Sequence, residues 1–286
     1  MPAKKSYSVA ELEGKANEIR EDIIQLLVKA GSGHTAGPLG MADVFCALYF
    51  KVLKHDPKNP LWKDRDRLIL SNGHICPVRY VAMAHAGYFP REWLGAFRRI
   101  DSMLEGHPSV KKIPALETSS GPLGEGLSQA CGFALAARMD NAKYHTWCLL
   151  SDGEHQEGMT WEAAMLAGKY RLSNLTAIID RNNIQIDGNT EDVMPLEPLR
   201  EKYEAFGWHV EDVNGHDMRQ IISTLEEAKA IQEKPTCVIM NTVAGKGVAF
   251  AENDYRWHGI TPDVEQAREA LRELRTLHGK IESEMD

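Results

Sequence analysis

Short apolar runs that alternate with helix-compatible stretches are the feature that most constrains the fold of this sequence. Each run ends in a cluster of Gly, Asn or Asp, as strands do where they enter turns. The runs are Arg67–Leu70, Thr146–Leu150, Leu175–Ile179, His209–Val213 and Thr236–Asn241. Continuous apolar strands separated by helices are typical of a parallel sheet covered on both faces. We therefore predict an α/β fold with three α/β/α layers and a mainly parallel central sheet.

The stretches between these runs have the residue pattern of helices. They cover Leu123–Arg138, Trp161–Tyr170, Pro198–Phe206 and Arg219–Gln232. An earlier, first helix should begin at Ser8, which can form a capping box with Glu11, and should end at Gly31 and Gly33.

A last helix should open with Thr261 as its cap and Pro262 as its first residue. Its apolar stripe would consist of Val264, Ala267, Leu271, Leu274 and Leu277. The chain has 286 residues, of which 43% are hydrophobic, and we find no internal repeat and no linker. These properties predict a single domain over residues 1–286.

Charge and cysteine usage exclude several classes of protein. The net charge is −8, and basic residues run no longer than pairs, so we expect no nucleic-acid partner and no membrane surface. The five cysteines are widely spaced without a C-x-x-C motif, which argues against a disulfide framework and a structural zinc site. With no apolar stretch of the ~20 residues that a membrane span needs, we expect a cytoplasmic protein.

Polar residues follow three of the predicted strands directly. They form "SNGH" at 71–74, "SDGE" at 151–154 and "DRNNIQIDG" at 180–188. In parallel sheets, ligands bind at the carboxyl ends of the strands. Asp and Asn oxygens suit Mg²⁺, and Gly153 would let a backbone N–H approach a phosphate closely. The pattern therefore predicts a bound diphosphate with its cation.

Other glycine-rich segments have structural interpretations. "GSGHTAG" at 31–37 and "AGKGV" at 244–248 match neither the dinucleotide fingerprint nor the P-loop, so we interpret both as turns. Asp152 taken alone could be a helix cap, and Asn182 taken alone could be a turn residue. We expect structural roles for seven histidines: His55, His85, His145, His155, His209, His216 and His278.

The order of the motifs resembles that of the transketolases, a family of thiamine diphosphate enzymes. "SDGE", "EG", "WEA" and "NNIQIDG" follow one another as in the diphosphate-binding segment of that family. Further motifs occur in family order: "SGH" at 32–34, "SNGH" at 71–74, "GHP" at 106–108, "GPLGEG" at 121–126, "NGHD" at 214–217 and "WHG" at 257–259. The resemblance extends over nearly the whole chain and implies the thiamine diphosphate-binding fold, in its diphosphate-binding module.

By this resemblance, Asp152 and Asn182 would bind Mg²⁺ through side-chain oxygens, and Ile184 through its backbone carbonyl. Ca²⁺ or Mn²⁺ could substitute for Mg²⁺. Asn183 is the competing candidate, but residues two apart in an extended segment face the same way, which favours Asn182 with Ile184.

The resemblance also implies which residues contact thiamine diphosphate. Gly153, His74 and His258 would reach the diphosphate, and Leu123 would lie against the thiazolium ring. Gly121 and Asn182 would also contact the cofactor. Glu157 would approach the cofactor and take part in catalysis.

The same resemblance assigns the substrate channel and the contact between active sites. His34, His107 and His258 would be catalytic residues that line the channel. Glu162, with Glu157, would link two active sites of a dimer. Two positions depart from the family pattern, because Ser151 replaces a common Gly and Thr35 a common Pro.

The function implied is transfer of a two-carbon ketol unit from a ketose, or its phosphate, to an aldose, or its phosphate. The chain would be the amino-terminal subunit of a split transketolase. It would need a carboxy-terminal subunit with the pyrimidine-binding and third domains, in an α₂β₂ assembly, with a role in the pentose phosphate pathway as the default. Alternatives are a subunit similar to deoxyxylulose-phosphate synthase or 2-oxoacid dehydrogenase, or a non-catalytic regulatory subunit.

Overall fold

A parallel sheet of five strands forms the centre of the chain. The structure is a computed structural model that describes residues 6–276. Along the sheet the strands lie in the order β1, β2, β3, β7, β6, and all four neighbouring pairs are parallel. The strands are β1 (Arg67–Leu70), β2 (Thr146–Ser151), β3 (Leu175–Arg181), β6 (His209–Asn214) and β7 (Thr236–Asn241). Each predicted apolar run is thus a strand, and the predicted parallel sheet is confirmed.

The carboxyl ends of β1, β2 and β3 lie side by side. Leu70 pairs with Leu149 of β2, and Ser151 pairs with Asp180 of β3. The polar segments after these three strands therefore share one edge of the sheet, as the sequence predicts.

Helices cover both faces of the sheet and enclose two apolar cores. One core contains Ile19, Phe45 and Trp147, and the other contains Leu150, Tyr203 and Trp208. Within residues 6–276, the α-helices of five or more residues are α1 (Val9–Ala30), α2 (Ala36–Gly40), α3 (Ala42–Ala47), α4 (Cys76–Ala86), α5 (Glu125–Met139), α6 (Gly158–Lys169), α8 (Leu199–Ala205), α9 (Met218–Ala230) and α10 (Val264–Thr276). A shorter α7 (Thr190–Val193) follows the hairpin of β4 (Ile184–Gln185) and β5 (Gly188–Asn189).

The ends of the first and last helices test the capping predictions. Ser8 and Glu11 form the predicted capping box of α1, and Gly31 ends this helix in a left-handed conformation. The predicted start of α10 at Thr261 and Pro262 is wrong. The helix begins at Val264, because Asp263 and Gln266 exchange backbone-to-side-chain hydrogen bonds of 2.9 Å.

The apolar stripe of α10 is partly as predicted. Ala267 and Leu274 are buried and Leu271 packs against the core, but Val264 is exposed. Leu277 lies outside the described residues. In residues 6–276, the chain has no helix that combines the length and the apolar character of a membrane span.

Candidate functional site

Asp152 lies in the turn that follows β2, and its side chain is fully buried. Its Oδ1 accepts the N–H of Gly153 at 2.7 Å, as a helix cap would. Its Oδ2 accepts the N–H of Asn183 at 2.7 Å. This second bond reaches the segment after β3 and is not part of a helix cap. Burial raises the pKa of Asp152 to about 6, because apolar surroundings disfavour the charged form. A cation beside this carboxylate would favour its charged form.

Asn182 and Asn183 differ in burial and backbone conformation. Asn183 is exposed and has a φ of 63°, so the segment is not extended and the argument from extended geometry is wrong. Asn182 is nevertheless the buried one of the two. Its Nδ2 donates to Oδ2 of Asp180 at 2.9 Å, and its Oδ1 accepts the N–H of Ile184 at 3.1 Å. Asp180 thereby fixes the orientation of the Asn182 carboxamide.

Three histidines from distant segments form a cluster. His34 follows α1, His74 follows β1, and His258 follows the short helix Tyr255–Trp257. Their ring centroids lie 4.9 Å apart for His34 and His74, 5.1 Å for His74 and His258, and 5.5 Å for His34 and His258. Burial lowers the pKa of all three imidazoles, that of His34 to about 4. The cluster is therefore neutral near pH 7.

His107 is exposed and lies near enough to this cluster for its charge to lower the pKa of His34 and His74. Burial, and then the charge of Arg98, lowers the pKa of His107. In addition to burial, the charges of Arg98 and His107 also lower the pKa of His34. Arg98 has a φ of 60°, and a Cβ on Gly106 would lie only 2.9 Å from its Nε. The guanidinium thus packs directly against the residue that precedes His107.

Two contacts connect the histidine cluster with the Asp152 turn. Ser71, three residues before His74, donates a hydrogen bond to Glu154 in this turn. A Cβ on Gly259 would lie 3.8 Å from Nε2 of His34 and 4.0 Å from Cδ1 of Ile186, in the hairpin after Asn182. The predicted metal, cofactor and channel residues are therefore parts of one region.

The loop before α5 carries Gly121 and Leu123. A Cβ on Gly73 would lie 3.0 Å from the backbone N of Gly121, so this loop packs closely on the segment that carries His74. Leu123 is partly exposed, and Glu157 and Glu162 are exposed. These three side chains are therefore accessible from outside the chain.

Two residues at the site were not indicated by the sequence patterns. Glu154 is fully buried, and burial raises its pKa to about 7. Arg181 is also buried and bonds Asp152, Thr190, Glu191 and Glu197. The only signal in the sequence was their place beside predicted ligands, within "SDGE" and "DRNN".

The two departures from the family pattern have hydrogen-bond partners here. The Ser151 hydroxyl donates to Oε2 of Glu154 at 3.2 Å. The Thr35 hydroxyl donates to the carbonyl of Ile260 at 2.6 Å, close to His258 along the chain. Both side chains thus stabilise the position of neighbouring site residues.

Several of the other histidines make structural contacts. His155 bonds the Ser151 carbonyl and the Tyr203 hydroxyl, each at 2.8 Å. His145 bonds the Thr176 hydroxyl at 2.8 Å, and His216 bonds Asp43 at 2.8 Å. His278 lies outside the described residues.

The residues at this site suit a cation and a diphosphate. A carboxylate, a carboxamide and a backbone carbonyl are the oxygen ligands that hard cations prefer. Among residues 6–276, both polar atoms of the Asn72 side chain and Nδ1 of His34 are buried without a hydrogen-bond partner. Buried unpaired polar atoms cost free energy, so a polar ligand here would be stabilised by them.

Comparison with known proteins identifies the family. The family described as "Transketolase, thiamine diphosphate binding domain" matches residues 13–278. The chain is 43% identical over 264 residues to the 6-deoxy-6-sulfo-D-fructose transketolase subunit SqwG of Clostridium sp. (strain MSTE9), covering 92% of this chain and 96% of that one. It is 41% identical over 276 residues to an apulose-4-phosphate transketolase subunit of Phocaeicola vulgatus, covering 96% and 98%.

Solved structures agree with this comparison. The chain superposes on the transketolase of Campylobacter jejuni with a TM-score of 0.87 at 36% identity, covering 92% of this chain and 42% of that one. The fold is therefore the three-layer thiamine diphosphate-binding fold. The chain belongs to the transketolase family, in its thiamine diphosphate-binding domain, and is similar to proteins that are separate transketolase subunits.

Proposed function

We propose that this chain is the amino-terminal subunit of a split transketolase, which transfers a two-carbon ketol unit from a ketose or its phosphate to an aldose or its phosphate. One observation carries the proposal: the buried Asp152 and Asn182 lie at the same sheet edge as three clustered neutral histidines. Among thiamine diphosphate enzymes, channel imidazoles favour transfer to hydroxyl-rich sugars, because they hydrogen-bond hydroxyl groups.

Asp152, Asn182 and the carbonyl of Ile184 would hold Mg²⁺, with Ca²⁺ or Mn²⁺ as substitutes. Gly153, His74 and His258 would bind the diphosphate. When bound, thiamine diphosphate would supply the carbanion chemistry that breaks and forms the carbon–carbon bond. The protein's part is to orient this cofactor and to exclude water.

The histidines would handle protons in the substrate channel. Because burial keeps His34 and His258 neutral near pH 7, each ring has one nitrogen that donates and one that accepts a hydrogen bond. Together with His107, they would hydrogen-bond the sugar hydroxyls and accept the hydroxyl proton as the bond breaks. Glu157 would approach the cofactor from the end of the Asp152 turn.

The active enzyme would need a carboxy-terminal companion subunit, in an α₂β₂ assembly. This proposal is supported by the subunit names of the two relatives and by the coverage of 42% of a full-length transketolase. All five cysteines are buried free thiols, which suits the proposed reducing cytoplasm. A pentose phosphate role and a specialised sugar pathway would both fit this chemistry.

Calorimetric titration of thiamine diphosphate into the full chain, with and without Mg²⁺, tests the proposal. Asp152→Ala and Asn182→Ala should each lower the Mg²⁺-dependent affinity by about tenfold or more, because each removes a cation ligand.

Asn183→Gly is the matched control. Glycine tolerates the left-handed backbone there and keeps the N–H that Asp152 accepts, so affinity should be unchanged. Equal effects of the Asn182 and Asn183 substitutions would contradict the ligand assignment. No binding by the unaltered chain, with or without its carboxy-terminal companion, would favour the regulatory alternative.

A further inference from the structure

Glu154 is a buried carboxylate whose two oxygens are both fully used. Oε1 accepts the hydroxyl of Ser71 and the N–H of Gly124, the latter at 3.1 Å. Oε2 accepts the N–H of Ser151 at 2.9 Å and its hydroxyl at 3.2 Å. Each of these bonds comes from a donor, so the ionised side chain can accept all four of them.

These bonds join three segments that are distant in sequence. Ser71 follows β1, Ser151 ends β2, and Gly124 immediately precedes α5. The Ser71 hydroxyl also accepts the N–H of Gly126 at 3.1 Å. Glu154 and Ser71 together therefore hold the first turn of α5, and the loop before it, against the ends of two strands.

The packing around this link leaves no room for the loop to shift inward. A Cβ on Gly126 would lie 2.3 Å from Cβ of Ser71, and one on Gly73 would lie 2.6 Å from Cβ of Ser120. Gly124 itself has a φ of 83°, in the left-handed region. The bond from Gly124 to Glu154 and this close packing thus restrict the position of Leu123, one residue earlier.

From this geometry we propose that Glu154 is a positioning residue, which fixes the Gly121–Gly124 loop relative to the Asp152 turn. The inference depends on the proposed function, because the loop and the turn are the parts proposed to contact opposite ends of the cofactor. A carboxylate is suited to the task, since it accepts from both sides at once. A glutamine of the same shape must turn its NH₂ group toward one pair of donors.

Comparing the affinities for a short and a long ligand distinguishes a positioning role of Glu154 from a general role in folding. Mg²⁺ with inorganic diphosphate would need the proposed cation ligands and the diphosphate-binding residues but not the Gly121–Gly124 loop, whereas thiamine diphosphate would also need that loop. In calorimetric titrations of the full chain, Glu154→Gln should weaken thiamine diphosphate binding about 10–100-fold. Binding of inorganic diphosphate should change little.

Asp66→Asn is the matched control, because it also replaces a buried carboxylate by its amide. Asp66 accepts the N–H groups of Lys54 and His145, at 2.9 and 3.0 Å, where β1 begins. This substitution should lower the melting temperature and leave the ratio of the two affinities unchanged.

Ser71→Ala removes the same link from its other side and keeps the test valid if Glu154→Gln does not fold. It should weaken thiamine diphosphate binding selectively, and the double variant should lose less than the two single losses combined. If the unaltered chain binds neither ligand, with or without its carboxy-terminal companion, the proposed function is wrong. If it binds both, and the variants lose both equally or neither, the positioning role is wrong.

Discussion

At the scale of single residues, burial determines which histidines carry charge. His145 is buried, bonds Thr176, and lies where β2 begins, away from the carboxyl-end site. Burial, aided by the charge of Lys229, lowers its pKa to about 3. In the unfolded chain a histidine titrates near pH 6.5. Between these values the unfolded chain binds one more proton, so the free energy of unfolding falls as the pH decreases.

His145→Asn should make this pH dependence shallower. The difference in slope should approach about 1.4 kcal/mol per pH unit between about pH 6 and pH 4, which is the contribution of one proton. Urea unfolding followed by circular dichroism at several pH values measures it. The variant keeps the other buried histidines, so parallel curves for the two proteins would show that His145 does not titrate in this way.

At the scale of elements, the strands were predictable and the helix ends less so. An apolar run that is buried on both faces, as β1, β2, β3 and β7 largely are, admits few other structures. All five runs become strands with ends within two residues of the prediction, including β6 at the sheet edge. The predicted start of α10 was wrong because two caps competed. Thr261 with Pro262 matched a general preference, whereas Asp263 had a reciprocal partner in Gln266.

Two glycines of α5 should respond oppositely to alanine. A Cβ on Gly126 would lie within 2.6 Å of three Ser71 atoms, so Gly126→Ala should destabilise the fold by about 1–3 kcal/mol through overpacking. Gly132 is exposed on the same helix, and apart from its chain neighbours and the nearby helix backbone no described atom lies within 4 Å of its added Cβ. Gly132→Ala should therefore stabilise by about 0.5–1 kcal/mol. Denaturant unfolding measures both changes, and a shift of the same sign in the two variants would refute this assignment.

At the scale of the whole molecule, the site is assembled from segments that sequence spacing does not relate. The motifs identified its members, because polar residues after strands gather at one sheet edge. Spacing could not predict that His258 would reach His34 across more than 200 residues of chain. Nor could it reveal Glu154, whose partners come from two other segments. Such links depend on tertiary packing, to which a local pattern is insensitive.

The proposed assembly predicts a role for the outer face of α6. Met159, Leu166 and Tyr170 are 42%, 39% and 48% exposed, and helical spacing aligns them with Glu162 in one stripe. An apolar stripe next to the site suits burial between subunits. Leu166→Lys would place a charge there, so it should weaken subunit association at least about tenfold, or about 1.4 kcal/mol.

Sedimentation equilibrium of the chain, alone and with its carboxy-terminal companion, measures this change in the dissociation constant. Leu61→Lys is the matched control, because Leu61 is 64% exposed in the loop that leads to β1. That substitution should leave association unchanged, since the loop is at the other end of its strand from the site. Equal weakening by the two substitutions would mean that charge, and not the α6 stripe, governs association. No weakening by Leu166→Lys would mean that the subunits meet on a different face.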